Sequence, residues 1–173
     1  ETIHTLKWHG ELIDKIYDQT APAGDDAMAM IVREPIGVVA CVLPWNFPML
    51  MLAWKIGPAL AAGNSVIVKP AEQTSLTALR LGELFLEAGL PEGVLNIVTG
   101  YGATTGNALI NHAGIDKIAF TGSTVTGKII AHAAAERLKK VSLELGGKSP
   151  NIIMPDADLE TAITASAMSI FWN

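Results

Sequence analysis

The segment KIAFTGSTVTGKIIAHAAAERLKKVSLELGGKSPN, residues 117–151, contains the pattern that predicts the fold. Residues 118–120 form a short apolar run typical of a strand, and residues 121–123 have the composition of a tight turn. Residues 124–139 have apolar side chains at helical spacing, and a second apolar run follows at 141–145. The segment therefore predicts a strand, a glycine-containing turn, a helix and a second strand.

The glycine turn leaves room for a ligand at the start of this helix. Gly122 and Gly127 flank the predicted N-terminus and have no side chains. The first turn of a helix has unsatisfied N–H groups and a partial positive charge. An anionic group such as a pyrophosphate could therefore approach the backbone here, so the sequence predicts a nucleotide-binding turn.

Strands and helices alternate through most of the chain. Apolar runs and helical spacing predict strands at 36–43, 65–68 and 94–98, helices at 48–62 and 74–88, and a glycine turn at 100–106 before a short helix. The strands are near-continuous apolar runs, which is typical of a parallel sheet covered by helices on both faces. We therefore expect a doubly wound, mainly parallel α/β fold.

Two parts of the chain can be distinguished. Residues 1–35 are expected to form an N-terminal helix and a connecting segment with a turn at 21–26 and a strand at 27–33. Residues 36–173 are expected to form the nucleotide-binding domain. The first residue is not Met, and helical spacing continues from Leu159 to Asn173 without a stop signal. We therefore expect the sequence to be a piece of a longer protein.

Composition narrows the classes of partner. Charged residues make up 17% of the chain, against roughly 25% in typical globular domains, so we expect apolar surface that a partner covers. The net charge is −5, and the one basic group of neighbours is Arg137, Lys139 and Lys140, which argues against nucleic acid. Pro44 and Pro48 would interrupt a membrane-spanning helix in the apolar run 36–54, so we expect no membrane span.

The sulfur and imidazole side chains predict neither a disulfide nor a metal site. Cys41 is the single cysteine and lies in an apolar strand, so we expect an inert core thiol. A chain without disulfides is consistent with a reducing compartment, and the cytoplasm is the simplest expectation. The four histidines have no spacing that would gather metal ligands.

Asn46 is a candidate catalytic residue because it follows the first parallel strand, where doubly wound sheets bind ligands. Pro44 and Pro48 restrict the backbone on either side. The amide N–H groups of Asn46 could therefore be held in place to stabilise an oxyanion. Alternatively, Asn46 bonds to its own turn.

Lys69 and Glu72 follow the second parallel strand. An ammonium and a carboxylate at this position could both bind ribose hydroxyls, and the carboxylate would repel a 2′-phosphate. Alternatively, both are solvated loop charges.

Glu144 lies inside an apolar strand, between Leu143 and Leu145. We expect its carboxylate to be partly desolvated, which favours a general base. A structural ion pair, for example with Lys148, is the alternative.

Four motifs carry a family resemblance: PWNFP at 44–48, KPAEQT at 69–74, FTGST at 120–124 and LELGGKSP at 143–150. In this order they resemble the nicotinamide-dependent aldehyde dehydrogenase superfamily, and the match extends over nearly the whole chain. The resemblance implies oxidation of an aldehyde to a carboxylate. It favours NAD over NADP because a glutamate occupies position 72.

The resemblance also implies roles for individual residues. Asn46 would be the oxyanion donor, and Glu144 would activate the water that hydrolyses the acyl-enzyme. The cofactor would be bound by Lys69 and Glu72 at the adenosine ribose, Trp45 and Ser123 at the pyrophosphate, Gly102 at the adenine, and the Leu145 backbone at the nicotinamide amide. The catalytic thiol of the family would follow Asn173, so the fragment alone is expected to be inactive.

Two other functions fit the same sequence. One is a non-catalytic nucleotide-binding module that ends naturally near residue 173. The other is a reductase of activated acyl groups with a related fold. Glu144 argues against this second function, because hydrolysis of a thioester needs a base to activate water. For the complete enzyme we expect a homo-oligomer, either a dimer or a tetramer, with a small-molecule aldehyde as its substrate.

Overall fold

The computed structural model describes residues 1–147 and 149–172. Its centre is a five-stranded parallel sheet in the order β5-β4-β3-β6-β7. The strands are β3 (Val38–Val42), β4 (Ser65–Lys69), β5 (Leu95–Ile97), β6 (Lys117–Gly122) and β7 (Lys140–Leu145). A separate antiparallel hairpin pairs β1 (Gln19–Ala21) with β2 (Ala29–Ile31). The predicted parallel α/β fold is therefore confirmed, although β1 was not expected from the sequence.

Six α-helices accompany the strands in the described residues. They are α1 (Thr2–Leu12), α2 (Pro48–Ala61), α3 (Ser75–Glu87), α4 (Asn107–Asn111), α5 (Thr124–Ala135) and α6 (Leu159–Phe171). Short turns of other helix types lie at Ile13–Lys15, Glu72–Thr74 and Gly102–Gly106. The expected last helix is confirmed as α6, whereas its expected end, Asn173, lies outside the described residues.

Helices cover both faces of the sheet. On one face, Val39 and Cys41 of β3 pack with Leu52 and Ile56 of α2, and α3 joins the same cluster. On the other face, Ala40 packs with Ile130 of α5, and α4 joins that cluster. Successive side chains of a strand point to opposite faces, so β3 contributes to both clusters. This arrangement explains why the strands are apolar without alternation.

Helix α5 ends earlier than the predicted residue 139. Leu138 has φ 52°, a left-handed conformation that a helix cannot continue through. The N–H of Lys139 returns to the carbonyl of Ala134 at 2.9 Å, which closes the helix end. Lys139 then extends its ammonium to the carbonyls of Ile110 and His112, at 2.8 and 2.6 Å. These bonds attach the end of α4 to the turn before β7.

The amino ends of β3 and β6 are joined by side chains. A carboxylate oxygen of Asp116 accepts the N–H of Val38 at 2.8 Å. Asn64 is buried, accepts the N–H of Gly37 at 3.1 Å and donates to the carbonyl of Ala59 at 3.0 Å. Asp116 and Asn64 thus bond to backbone groups at the amino ends of the strands, where hydrogen bonding within the sheet starts. These contacts set the relative positions of neighbouring strands.

Among residues 1–147 and 149–172, no helix combines the length and the apolar character needed to cross a bilayer.

Candidate functional site

The strand order reverses between β3 and β6, and a cavity of about 350 Å³ opens beyond their carboxyl ends. In doubly wound sheets this reversal is where ligands bind. The cavity is lined by Pro44, Trp45, Asn46, Thr121, Gly122, Ser123, Glu144, Leu145 and Gly146. Both expected catalytic residues and several expected cofactor-binding residues therefore share one cavity, although they are far apart in the sequence.

Asn46 is positioned by the segment between β3 and α2. The N–H of Leu43 bonds to the carbonyl of Lys69 at 3.0 Å, which extends the β3–β4 ladder to the edge of the cavity. Pro48 then begins α2, and its fixed φ suits the first turn of a helix. Asn46 is exposed between these two anchored ends. The main chain at Asn46 is therefore anchored beside the cavity by strand pairing on one side and a helix start on the other.

Ser123 connects β6 to α5 and caps the helix. Its hydroxyl oxygen accepts the N–H of Thr126 at 3.2 Å, which satisfies one of the free donors of the first turn. The cavity therefore lies at the positive end of a 12-residue helix. Such a position attracts an anionic group such as a phosphate.

Glu144 reaches the same cavity from β7, where it is paired in register with Thr121 of β6. We expected partial desolvation of its carboxylate, and this expectation is wrong in the structure, because Glu144 is exposed. Strand β7 is an edge strand of the sheet, and the helices on the face of Glu144, α2 and α3, pack against β3 and β4. The alternative partner, Lys148, lies outside the described residues.

Lys69 and Glu72 form an ion pair at the end of β4, with Nζ and Oε2 3.2 Å apart. The Lys69 side chain is 4% exposed, so it is not a solvated loop charge. Glu72 is more open, at 44%. Its own backbone N–H and then the ammonium of Lys69 lower the pKa of its carboxyl. Glu72 therefore presents a carboxylate to solvent at neutral pH.

The predicted glycines have different surroundings. A Cβ on Gly127 would lie 2.4 Å from Cδ2 of Leu145, and a Cβ on Gly122 would lie 2.5 Å from the Phe120 ring. A side chain at either position would therefore have to displace Leu145 or Phe120. In contrast, a Cβ on Gly102 would have no heavy atom within 4 Å. Among these three glycines Gly102 is the one whose Cβ position is open, and a ligand role for all three stays a prediction.

A second cleft, which we call the Glu72 cleft, also has a volume of about 350 Å³. It lies between the residues that follow β4 and those that follow β5, and it is lined by Glu72, Gln73, Ser75, Thr99, Gly100 and Tyr101. Because β4 and β5 are neighbours, the cleft lies along the same carboxyl edge of the sheet as the first cavity. Glu72 therefore lines a different cleft from the cavity that contains Asn46.

A third groove, of about 820 Å³, extends from Glu144 between α2 and the sheet. Lys55 lines it, and burial lowers the pKa of this lysine, while the nearby Cys41 and Glu144 oppose the shift. Sequence reasoning did not assign Lys55 to the site, although a lysine within an otherwise apolar helix was a signal that could have indicated it. The groove places a partly desolvated cation near the carboxylate of Glu144.

Cys41 is fully buried in β3, as expected for a core thiol. Burial raises its pKa to about 12, and the neighbouring Lys55 and Lys117 only partly counter this effect. The thiolate needed for nucleophilic attack is therefore disfavoured. In the part of the chain that the structure describes, no three His, Cys, Asp or Glu side chains come together in a way that could hold a metal ion.

A family model, curated relatives and solved structures all match this chain. A family model described as "Aldehyde dehydrogenase family" matches residues 1–173. An aminoacetaldehyde dehydrogenase from Pseudomonas aeruginosa is 59% identical over 175 aligned positions, which cover 100% of this chain and 35% of the relative. The NADP/NAD-dependent aldehyde dehydrogenase PuuC from Escherichia coli is 55% identical, with 97% of this chain and 34% of the relative covered.

Solved structures resemble this chain closely. The NAD⁺ complex of an aldehyde dehydrogenase from Bacillus cereus superimposes with a TM-score of 0.96 at 50% identity. The match covers 99% of this chain and 35% of that structure. The chain therefore spans about a third of the length of the relatives that it matches.

Proposed function

Because the chain belongs to the aldehyde dehydrogenase family, we propose that it is the cofactor-binding part of an enzyme that oxidises an aldehyde to a carboxylate with NAD. The observation that carries this proposal is the cavity where β3 and β6 diverge, since it gathers Asn46, Ser123 and Glu144. An oxyanion donor, a helix N-terminus and a carboxylate in one cavity are the groups that acyl chemistry beside a dinucleotide requires.

The residues along the carboxyl edge of the sheet fit a dinucleotide. The exposed carboxylate of Glu72 can accept a ribose hydroxyl, and Lys69 holds that carboxylate in place. Ser123 and the first turn of α5 provide N–H groups and a positive dipole end for the pyrophosphate, with Trp45 beside them in the cavity. When bound, NAD supplies the hydride acceptor of the reaction. The B. cereus structure, which is a complex with NAD⁺, supports this choice.

Asn46 acts on the substrate oxygen. As a thiolate attacks the aldehyde carbonyl, negative charge develops on that oxygen, and an amide N–H already in position stabilises it. Leu43, which is bonded to Lys69, and Pro48, which begins α2, restrict the backbone of Asn46. The backbone at Asn46 therefore needs little reorganisation at the moment of reaction.

Glu144 acts as the base in the second half of the reaction. It removes a proton from the water that hydrolyses the thioester, which releases the carboxylate product. We propose that the nucleophilic thiol comes from a segment outside these 173 residues, because Cys41 is buried and its pKa is raised to about 12. We also propose that the covering of Glu144, which the edge strand lacks here, comes from the remainder of the complete enzyme.

The proposed function is tested with Glu144→Gln in the complete enzyme. The variant should release a burst of NADH equal to the enzyme concentration and then turn over at least about 100-fold more slowly than the unmutated enzyme. Glu160→Gln, at the exposed start of α6, is the control and should turn over normally. Full turnover without a burst in Glu144→Gln would exclude Glu144 as the base. Failure of the unmutated enzyme to reduce NAD with any aldehyde would exclude the proposed function.

We propose further that the complete enzyme is a cytoplasmic homo-oligomer that takes a small aldehyde. Large exposed apolar side chains on the β1–β2 hairpin, among them Met28, Met30 and Val32, support an interface with a second copy. The names of the relatives support an aldehyde substrate. The name of the P. aeruginosa relative supports an aminoaldehyde in particular. Sedimentation of the purified enzyme distinguishes a monomer from a dimer or tetramer, and a monomer would contradict the proposal.

A further inference from the structure

A side-chain hydrogen bond connects the segment after β7 to helix α6. The amide Nδ2 of Asn151 donates to Oγ of Ser166 at 2.8 Å, and this hydroxyl donates to the carbonyl of Ala162 at 2.6 Å. Asn151 follows Glu144 along the chain, so the segment that carries the proposed base also bonds to α6. Sequence reasoning assigned no role to Asn151 or Ser166.

Packing does not hold α6 in the way that it holds α2 and α5. No residue of α6 is buried, whereas α2 and α5 contribute buried side chains to the two core clusters. A groove of about 900 Å³ separates α6 from residues 149–154, and small side chains line most of its helix side: Ala162, Ala165, Ser166 and Ser169. A polar contact across this groove therefore has more influence on the position of α6 than it would on a helix packed into the core.

Helix α6 is anchored by side chains at two points along its axis. At its start, the carboxylate of Asp158 accepts the N–H of Thr161 at 2.8 Å. At a rise of 1.5 Å per residue, Ser166 lies about 12 Å along the axis from Asp158, and Phe171 at the helix end lies about 20 Å from it. A displacement of Ser166 that pivots about Asp158 is therefore larger at the end of the helix.

We propose that Asn151 is a positioning residue, which acts through Ser166 to set the position of the catalytic thiol relative to Glu144. The inference rests on the proposed function, with the thiol following Asn173 as the family resemblance implies. Hydrolysis of the acyl-enzyme needs the thioester and the water base at one place, and a misplacement of about 1 Å can slow such a step by about 100-fold. Loss of the Asn151 bond should therefore slow hydrolysis of the thioester, while the groups that bind NAD stay in place.

The inference is tested by pre-steady-state and steady-state NADH formation in the complete enzyme. Asn151→Ala should release a burst of NADH and then turn over about 10-fold more slowly than the unmutated enzyme, per site that binds NAD. Its Kd for NAD should stay within about two-fold of that of the unmutated enzyme. A purely structural role would lower the number of NAD-binding sites and leave the turnover per site unchanged.

Variants of α6 show whether the hydrogen bond itself is responsible. Ser166→Ala removes the other partner and should slow turnover equally, and the double variant with Asn151→Ala should be no slower, because both substitutions break the same contact. Ser166→Thr keeps the hydroxyl and should turn over within about two-fold of the unmutated enzyme. Ser169→Ala is the control, because the Ser169 hydroxyl donates to the carbonyl of Ser166 at 2.8 Å within the helix, and it should have no effect.

Three kinds of result would overturn the inference while leaving the proposed function intact. They are unchanged turnover per NAD-binding site in Asn151→Ala, additive losses in the double variant, and a loss in Ser166→Thr or Ser169→Ala equal to that in Ser166→Ala. If the unmutated enzyme oxidised no aldehyde with NAD, the inference and the proposed function would both fail. The behaviour of the unmutated enzyme therefore distinguishes the two proposals.

Discussion

Lys69 and Glu72 form an asymmetric ion pair, in which a buried ammonium lies 3.2 Å from a carboxylate that is 44% exposed. The buried lysine needs a charged partner, because an ammonium removed from water is costly unless it is paired. The glutamate is thereby held at the end of β4 while its side chain stays 44% exposed. This ion pair is the reason for which we propose that the complete enzyme prefers NAD over NADP.

Glu72→Gln should narrow the preference for NAD over NADP. The Glu72 carboxylate is charged at neutral pH, and its lowered pKa keeps it charged in mild acid as well, so it repels a 2′-phosphate placed on the same ribose. We expect the ratio of NAD to NADP affinities to fall by about 10-fold, as measured by titrating both cofactors. Glu92→Gln, an exposed carboxylate in the turn before β5, is the control. Equal affinity for both cofactors in the unmutated enzyme would contradict the assignment of Glu72.

Asn46→Ala should slow acylation by roughly 100- to 1,000-fold, with NAD affinity nearly unchanged. The reason is that the contact strengthens as charge develops on the substrate oxygen and contributes little to the ground state. Pre-steady-state NADH formation measures this step. Asn111→Ala, at the exposed end of α4, should leave it unaffected. An intact burst combined with lost NAD binding would place Asn46 at the cofactor instead of the substrate.

Cys41 should be unreactive in the folded enzyme, and Cys41→Ser should retain aldehyde oxidation. With a pKa of about 12, roughly 1 in 10,000 of these thiols is ionised at pH 8. Alkylation followed by mass spectrometry should therefore modify Cys41 only in denaturant. Rapid loss of activity on modification of Cys41 in the native enzyme would identify it as the nucleophile.

The same thiol predicts a change of stability in alkali. The pKa of Cys41 is raised from 9.0 to about 12 on folding, so the unfolded chain loses this proton first as the pH rises. The stabilisation is therefore complete below about pH 9 and is lost between about pH 9 and 12, by up to about 1.4 kcal/mol per pH unit. Denaturant unfolding of the unmutated enzyme and of Cys41→Ala is measured across this range. The free energy of unfolding should fall more steeply with pH in the unmutated enzyme than in Cys41→Ala. If the free energy of unfolding fell equally with pH in both proteins, Cys41 would have the same pKa in the folded and the unfolded state.

Gly37→Ala should destabilise the protein more than Gly89→Ala. Both glycines have positive φ, 121° and 91°, so both substitutions introduce backbone strain of about 1 kcal/mol or more. A Cβ at Gly37 would also lie 2.2 Å from Oδ2 of Asp116, whereas one at Gly89 would have no atom within 4 Å. Asp116 can move away only by giving up its bond to the N–H of Val38.

The difference between these two glycine variants isolates the effect of Asp116. We expect it to be about 1–2 kcal/mol in the free energy of unfolding, the value of a lost backbone hydrogen bond with local strain. Equal destabilisation of the two variants in denaturant titrations would show that the Asp116 contact adds nothing.

Several site residues could be predicted from the sequence because their surroundings are local. Ser123 caps α5 through Thr126, three residues later, so residues 123–126 are enough to predict this contact. Pro48 at the start of α2 is a similar local signal. In contrast, the burial of Lys69 and the exposure of Glu144 were not predictable, because both depend on which elements cover each strand.

The sequence by itself determined the alternation of strands and helices and the cap of α5 at Ser123, because periodicity and capping act over a few residues. The tight turn expected at 121–123 is wrong in part, because Thr121 and Gly122 continue β6 and Ser123 alone connects this strand to α5. Only the tertiary structure decided the strand order. In the sheet β6 pairs directly with β3, although β4 and β5 lie between them in the sequence. That pairing brings the carboxyl ends of distant strands to one edge, and it places Asn46 and Ser123 in the same cavity. The physical reason is that backbone hydrogen bonds between parallel strands and the packing of helices on both faces are long-range interactions, which no local pattern encodes.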